Sequence, residues 1–155
     1  MSVWIDEILL WPSYPVPYLG EEAIWLDHGV EDGVPWATCI DAHWGVMNGY
    51  AMVPTQHPLH GNGDFWSWDV EVHGGVTYTQ DGPEGSWWVG FDCKHFRDAR
   101  NPSWLSERMK AHNEKYPSLY FNSPDKVIRT PEYARTEAIT LAKQLADQAK
   151  QGTSR

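Results

Sequence analysis

The strongest periodic pattern lies at the C-terminal end. Ala134, Ala138, Leu141, Ala142, Leu145 and Ala149 recur at three- and four-residue intervals in an otherwise polar segment, which predicts an amphipathic helix packed by one face. Thr130 suits the N-cap, Pro131 the first helical position, and Glu132 the positive end of the helix dipole. The helix should run from Pro131 to about Gln151 and end at Gly152, with residues 153–155 frayed.

A different period runs through Ser67 to Thr79. Trp68, Val70 and Val72 alternate with Asp69, Glu71 and His73, which predicts a strand with one apolar face, bent at Gly74-Gly75. Trp87 to Phe91 is apolar throughout and predicts a strand central in a sheet, so that Asp92 to His95 emerge at its end. Trp44 to Val53 predicts a third strand, with Asn48-Gly49 as a turn or bulge inside it and Pro54 closing it. Residues 1–36 carry Pro12, Pro15, Pro17 and Pro35 among scattered aromatics and are expected to form a loop-rich wrap. Residues 99–129 are expected to form a polar, irregular excursion. The fold class that follows is α+β: a single domain over residues 1–155, with a small, mainly antiparallel sheet across 37–98 covered by the C-terminal helix.

Composition narrows the function classes. With 155 residues the chain can bury one core. Twelve basic against 21 acidic residues give a net charge of −9, which argues against general nucleic-acid binding, because that depends on neutralising phosphates. A local cluster such as Lys94, Arg97 and Arg100 can still hold a small anion, since screening limits the reach of distant charges. Cys39 and Cys93 show no CxxC spacing and read as free thiols. No apolar run is long enough for a membrane span. The acids near the N-terminus, Asp6 and Glu7, speak against a signal peptide, so we expect a cytoplasmic protein. Ten tryptophans are more than a chain of this size needs. Most are expected in the core, with Trp66 and Trp68 on one strand face and one of Trp87 and Trp88 as ligand candidates, and surplus aromatics are expected to finish a homo-oligomer interface.

Candidate chemistry concentrates in the middle of the chain. Four of the seven histidines, His57, His60, His73 and His95, fall between His57 and His95, the first three beside Pro or Gly and His95 three residues from Asp92 and from Asp98. As a binding site, His73-Gly74-Gly75 would bring backbone amides close to a phosphate. Lys94 and Arg97 would add charge, and Tyr50, Trp66 or Tyr78 would stack on a base. His57, Tyr78, Asp92 and His95 complete the candidate ligand-binding set, which needs no cofactor. As a catalytic site, His73 and His95 would serve as acid and base, with Asp92. Asp92, His95 and Asp98 form D-x-x-H-x-x-D, which with His57 would hold a divalent metal. Asp92 could equally cap the segment that follows it.

Asn48-Gly49-Tyr50, Pro54, His57-Pro58, Gly61, Val72-His73-Gly74-Gly75-Val76-Thr77-Tyr78 and Trp88-Val89-Gly90-Phe91-Asp92, then His95 and Asp98, together resemble a family of small phage proteins of unassigned function. The resemblance covers roughly Trp44 to Asp98 plus the C-terminal helix. It implies a phage context, the cytoplasm of an infected bacterium, and a role in countering host defence. Two functions are then expected to compete. One is sequestration of a small phosphate-containing nucleotide, such as a cyclic nucleotide or cyclic ADP-ribose type immune signal. The other is a phosphodiesterase, metal-dependent or not, that cleaves such a signal. A third, an acidic inhibitor acting by protein contact, has less behind it because the carboxylates are dispersed.

Overall fold

The computed structural model describes residues 23–120 and 122–153. Five antiparallel strands form the main sheet: β1 (Ala23–Glu31), β2 (Val34–Asp41), β3 (Val46–Met52), β4 (Tyr78–Asp81) and β5 (Trp87–Asp92), in the order β1-β2-β3-β5-β4. Two helices follow, α1 (Glu107–Lys115) and α2 (Pro131–Thr153). A two-residue parallel pair, β6 (Asp98–Ala99) with β7 (Val127–Ile128), lies apart from the main sheet. This is the α+β arrangement expected, with α2 packed across β2 and β3.

The predicted stripe of α2 is its buried face: Ala134, Ala138, Leu141, Ala142, Leu145 and Ala149 are each at most 1% exposed. All but Ala149 belong to one cluster with Trp36, Ile40, Met47, Ala51, Val89 and Phe91 from the sheet. Thr130 caps the helix as expected, its hydroxyl accepting from the Tyr133 amide at 3.1 Å. The opposite sheet face carries a second cluster of Cys39, Tyr50 and Trp88, with Trp25, Met52 and Tyr78 against it. Both tryptophans of β5 are therefore packed, Trp87 toward the helix side and Trp88 on the other face.

The chain departs from the sequence expectations in four places. Residues 23–36 belong to a β-hairpin, not to a loop-rich wrap. Asp32 and Gly33 have φ of 51° and 81° and join β1 to β2 as the two-residue, positive-φ turn that matches strand twist. The expectation for residues 1–22 lies outside the described residues. Asn48-Gly49 is neither turn nor bulge but regular ladder, Asn48 pairing with Cys39 and Asp92. Gly49 is there because the Phe91 ring occupies the place of a side chain. The 99–129 excursion contains α1, capped by Ser106 with a 3.2 Å bond from the Met109 amide; only Met109 of this helix is buried, so the sequence carries little apolar period.

The fourth departure concerns Ser67 to Thr79, of which only Tyr78 and Thr79 are strand. Phe65–Ser67 is a 3-10 turn capped by Asp64, which separates exposed Trp66 from buried Trp68. The alternation beyond it is real, because Trp68, Val70 and Val72 pack on the core while Asp69 and Glu71 are exposed. Two glutamines of α2 take the place of a neighbouring strand. The Gln144 amide oxygen accepts from Glu71 N at 2.7 Å and its nitrogen donates to Glu71 O at 2.9 Å; Gln148 donates to Asp69 O at 2.6 Å.

Candidate functional site

The C-terminal end of β5, the His73 loop and the first turn of α2 meet at one place. His73 lies at its centre. Its Nε2 is 2.7 Å from Asp98 Oδ2 and its Nδ1 is 2.7 Å from the Tyr133 hydroxyl. An ionised carboxylate only accepts, so Nε2 carries the proton, and Nδ1 shares the second hydrogen bond with the phenol. Both oxygens of Asp98 are engaged: Oδ1 accepts from Arg129 Nε at 2.8 Å, and Oδ2 also accepts from the His95 amide at 2.9 Å. Its side chain is 1% exposed. Burial alone would raise its pKa, but the bonds from Arg129, His73 and the His95 amide outweigh that and hold it below the usual carboxylate value. The β6–β7 pair brings Arg129 to Asp98, setting Asp98 beside Val127 in register.

His95 adjoins this network, its ring 5.7 Å from that of His73. A turn closed by the bond from Gly75 N to Val72 O, 2.8 Å, carries Gly74 at φ +69°. A side chain at Gly74 would fall on the His95 ring, nearest Nε2 and then the two carbons that flank it. That pattern places the Gly74 backbone over the ring face, so the loop packs on His95. Its Gly75 amide is consumed by the turn, which reduces the number of amides the loop could offer a phosphate. On its other side, His95 Nε2 lies 3.2 Å from Asp92 Oδ1. It is nonetheless buried without an aligned hydrogen-bond partner. Asp92 Oδ1 accepts from Lys94 N at 3.0 Å, which closes a local turn; no helix directly follows Asp92 for it to cap.

Cations gather in the loop that follows. The Lys94 ammonium lies 4.7 Å and the Arg100 guanidinium 4.9 Å from the Trp44 ring centre. His43 packs edge-on against the same indole. Phe96 is 85% exposed, and Arg97 is exposed beside it.

The structure therefore brings together His73, Gly74, Asp92, His95 and Asp98. It does not bring His57 with them. His57 stacks on Trp68 at 5.3 Å between ring centres, its Nε2 2.8 Å from Gln148 Oε1 and its Nδ1 accepting from Leu59 N at 3.0 Å. Both nitrogens are thereby used, and burial lowers its pKa. It borders a cleft of about 250 Å³ with Pro58, Asp69 and Gln148, smaller than most small-molecule sites. Tyr50 and Tyr78 contact each other edge-to-face at 5.0 Å on the sheet face away from α2. Trp66 is 93% exposed on its own turn. Among the described residues no three His, Cys, Asp or Glu side chains are grouped to hold a metal ion. Of the expected ligands, Asp98 has both oxygens engaged and His57 both nitrogens.

Tyr133 and Arg129 were missed by the sequence reading. The only signal for Tyr133 was its place in the first turn of a capped helix, and Arg129 depends on a two-residue strand that no periodicity announces. Cys93, beside these groups, is buried, and burial pushes its thiol up to about 12, so it stays protonated. Among the described residues no helix is long and apolar enough to cross a membrane. No protein-family model, curated protein or solved structure matches the chain.

Proposed function

We propose that this protein binds and holds a small phosphate-bearing nucleotide rather than cleaving it. The observation that carries this reading is the pair of cations over Trp44, Lys94 at 4.7 Å and Arg100 at 4.9 Å, on either side of exposed Phe96 along the chain. In a chain of net charge −9, such a concentration of positive charge beside aromatic faces suits a ligand that has both phosphate and base. Both ring nitrogens of His73 are spent within the protein. That speaks against His73 and His95 as the acid and base of a two-histidine phosphodiesterase, since a general base needs a nitrogen within reach of the proton it takes.

The phage resemblance narrows the ligand class to cyclic nucleotide or cyclic ADP-ribose type signals, withheld from the host defence enzymes that read them. The test is to incubate the protein with a panel of these compounds, remove unbound material, denature the protein by heat and identify what it releases. Intact ligand, with retention lost in Lys94→Glu, supports sequestration. A cleaved product would establish the phosphodiesterase instead, and an untouched panel would overturn both readings.

A further inference from the structure

The geometry points to a divalent transition-metal site formed by Asn48 Oδ1, Asp92 and His95 Nε2 at the β3–β5 end of the sheet. Three observations carry it. Asn48 and Asp92 are directly paired residues of β3 and β5, and such cross-strand pairs have Cβ atoms ~5 Å apart on one face. Asp92 Oδ1 and His95 Nε2 are 3.2 Å apart but not aligned as donor and acceptor, which is the separation of two donors sharing one ion ~2.1 Å from each. Asn48 Oδ1 and His95 Nε2 are both buried with no hydrogen-bond partner. Buried polar atoms are nearly always satisfied, and here two belong to neighbours of Asp92, one its cross-strand partner and the other 3.2 Å from its carboxylate.

The surroundings hold these donors in position. Gly74 lies over the His95 ring face and so limits how the imidazole can turn. The Lys94 amide fixes the Asp92 carboxylate at 3.0 Å, and the Asn48 nitrogen donates to the Tyr50 hydroxyl at 3.2 Å, turning its oxygen the other way. One imidazole, one carboxylate and one amide oxygen make a borderline donor set, suited to Zn²⁺, Co²⁺ or Mn²⁺ with water completing the shell, and poorly matched to Cu⁺. The inference stands apart from the nucleotide reading, because the metal alone is the probe.

The test is titration of the full-length protein with Co²⁺, read by visible absorption, and with Zn²⁺, read by calorimetry and the shift in melting temperature. One equivalent should bind, with affinity reduced at least tenfold in Asp92→Asn and in His95→Gln. Asn48→Asp adds a charged oxygen at the same place and should tighten binding, an outcome that misfolding cannot imitate. Binding that is indifferent to all three substitutions, or no binding at millimolar metal by wild-type protein, overturns the site and leaves the nucleotide assay unaffected.

Discussion

His73 Nε2 and Asp98 Oδ2 lie 2.7 Å apart, with the carboxylate 1% exposed and Arg129 on its other oxygen. This contact ties the His73 loop, β6 and the chain entering α2 into one unit, since Tyr133 on the first turn closes the far side of the imidazole. Asp98→Ala would leave an arginine and an imidazole facing a space without their acceptor. Breaking a buried pair in this way costs about 3–5 kcal/mol, so the urea midpoint should fall sharply. A loss under ~1 kcal/mol would mean that water replaces the carboxylate without penalty.

Gly74→Ala should destabilise the protein by two independent routes. Alanine is strained at φ +69°, by about 1–2 kcal/mol, and its methyl would meet the His95 ring, adding about 1–3 kcal/mol of overpacking. Gly75 has φ +77° with nothing within 4 Å of a side-chain position, so Gly75→Ala should show the strain alone. Thermal melts of the two variants separate the terms, and equal losses would remove His95 from the account.

Stability should fall as pH drops below the ordinary histidine value. His57 Nδ1 accepts the Leu59 amide, a bond that a protonated ring cannot make, and burial lowers its pKa from 6.5. The unfolded state therefore binds the proton first. The contribution of His57 is complete above pH 6.5 and is lost as pH falls from there through its lower folded value. His57→Gln should flatten the urea-midpoint profile between pH 7 and 5; an unchanged slope would assign the effect to another group.

Gln144→Ala should loosen the backbone at Glu71 from α2 while Gln148 still holds Asp69. It removes both backbone bonds to Glu71, at about 1 kcal/mol each or less because Glu71 is exposed and water can substitute. Amide exchange at Glu71 should accelerate while that in β5 does not. Unchanged protection at Glu71 would show that the side chain is not the strand substitute proposed for it.

How far the sequence could be read depended on the range of the interactions that decided each element. The α2 stripe and its Thr130 cap were legible because helix period and capping are set within a few residues. Trp87–Phe91 was legible as a strand for the same reason, its apolar run being what two packed faces require. Asp32-Gly33 is a hairpin dipeptide that the loop-rich reading of residues 1–36 did not take up, and Pro35 of β2 pairs with Val30. The alternation of Trp68, Val70 and Val72 told which side chains face the core. It was silent on what bonds the backbone, because period two describes an extended chain whether a strand or a pair of glutamines lies beside it.

By itself, then, the sequence determined the helix, the apolar strand and its polar end at Asp92–His95, and the bend at Gly74-Gly75, since each follows from local period, capping or turn chemistry. Only the tertiary structure decided which of these polar groups meet. It set His73 between Tyr133 and Asp98, put Asn48 beside Asp92, and sent His57 to Gln148 instead, because hydrogen bonds across 25 to 91 positions of chain depend on how the loops and the helix dock on the sheet, and no local pattern encodes that docking.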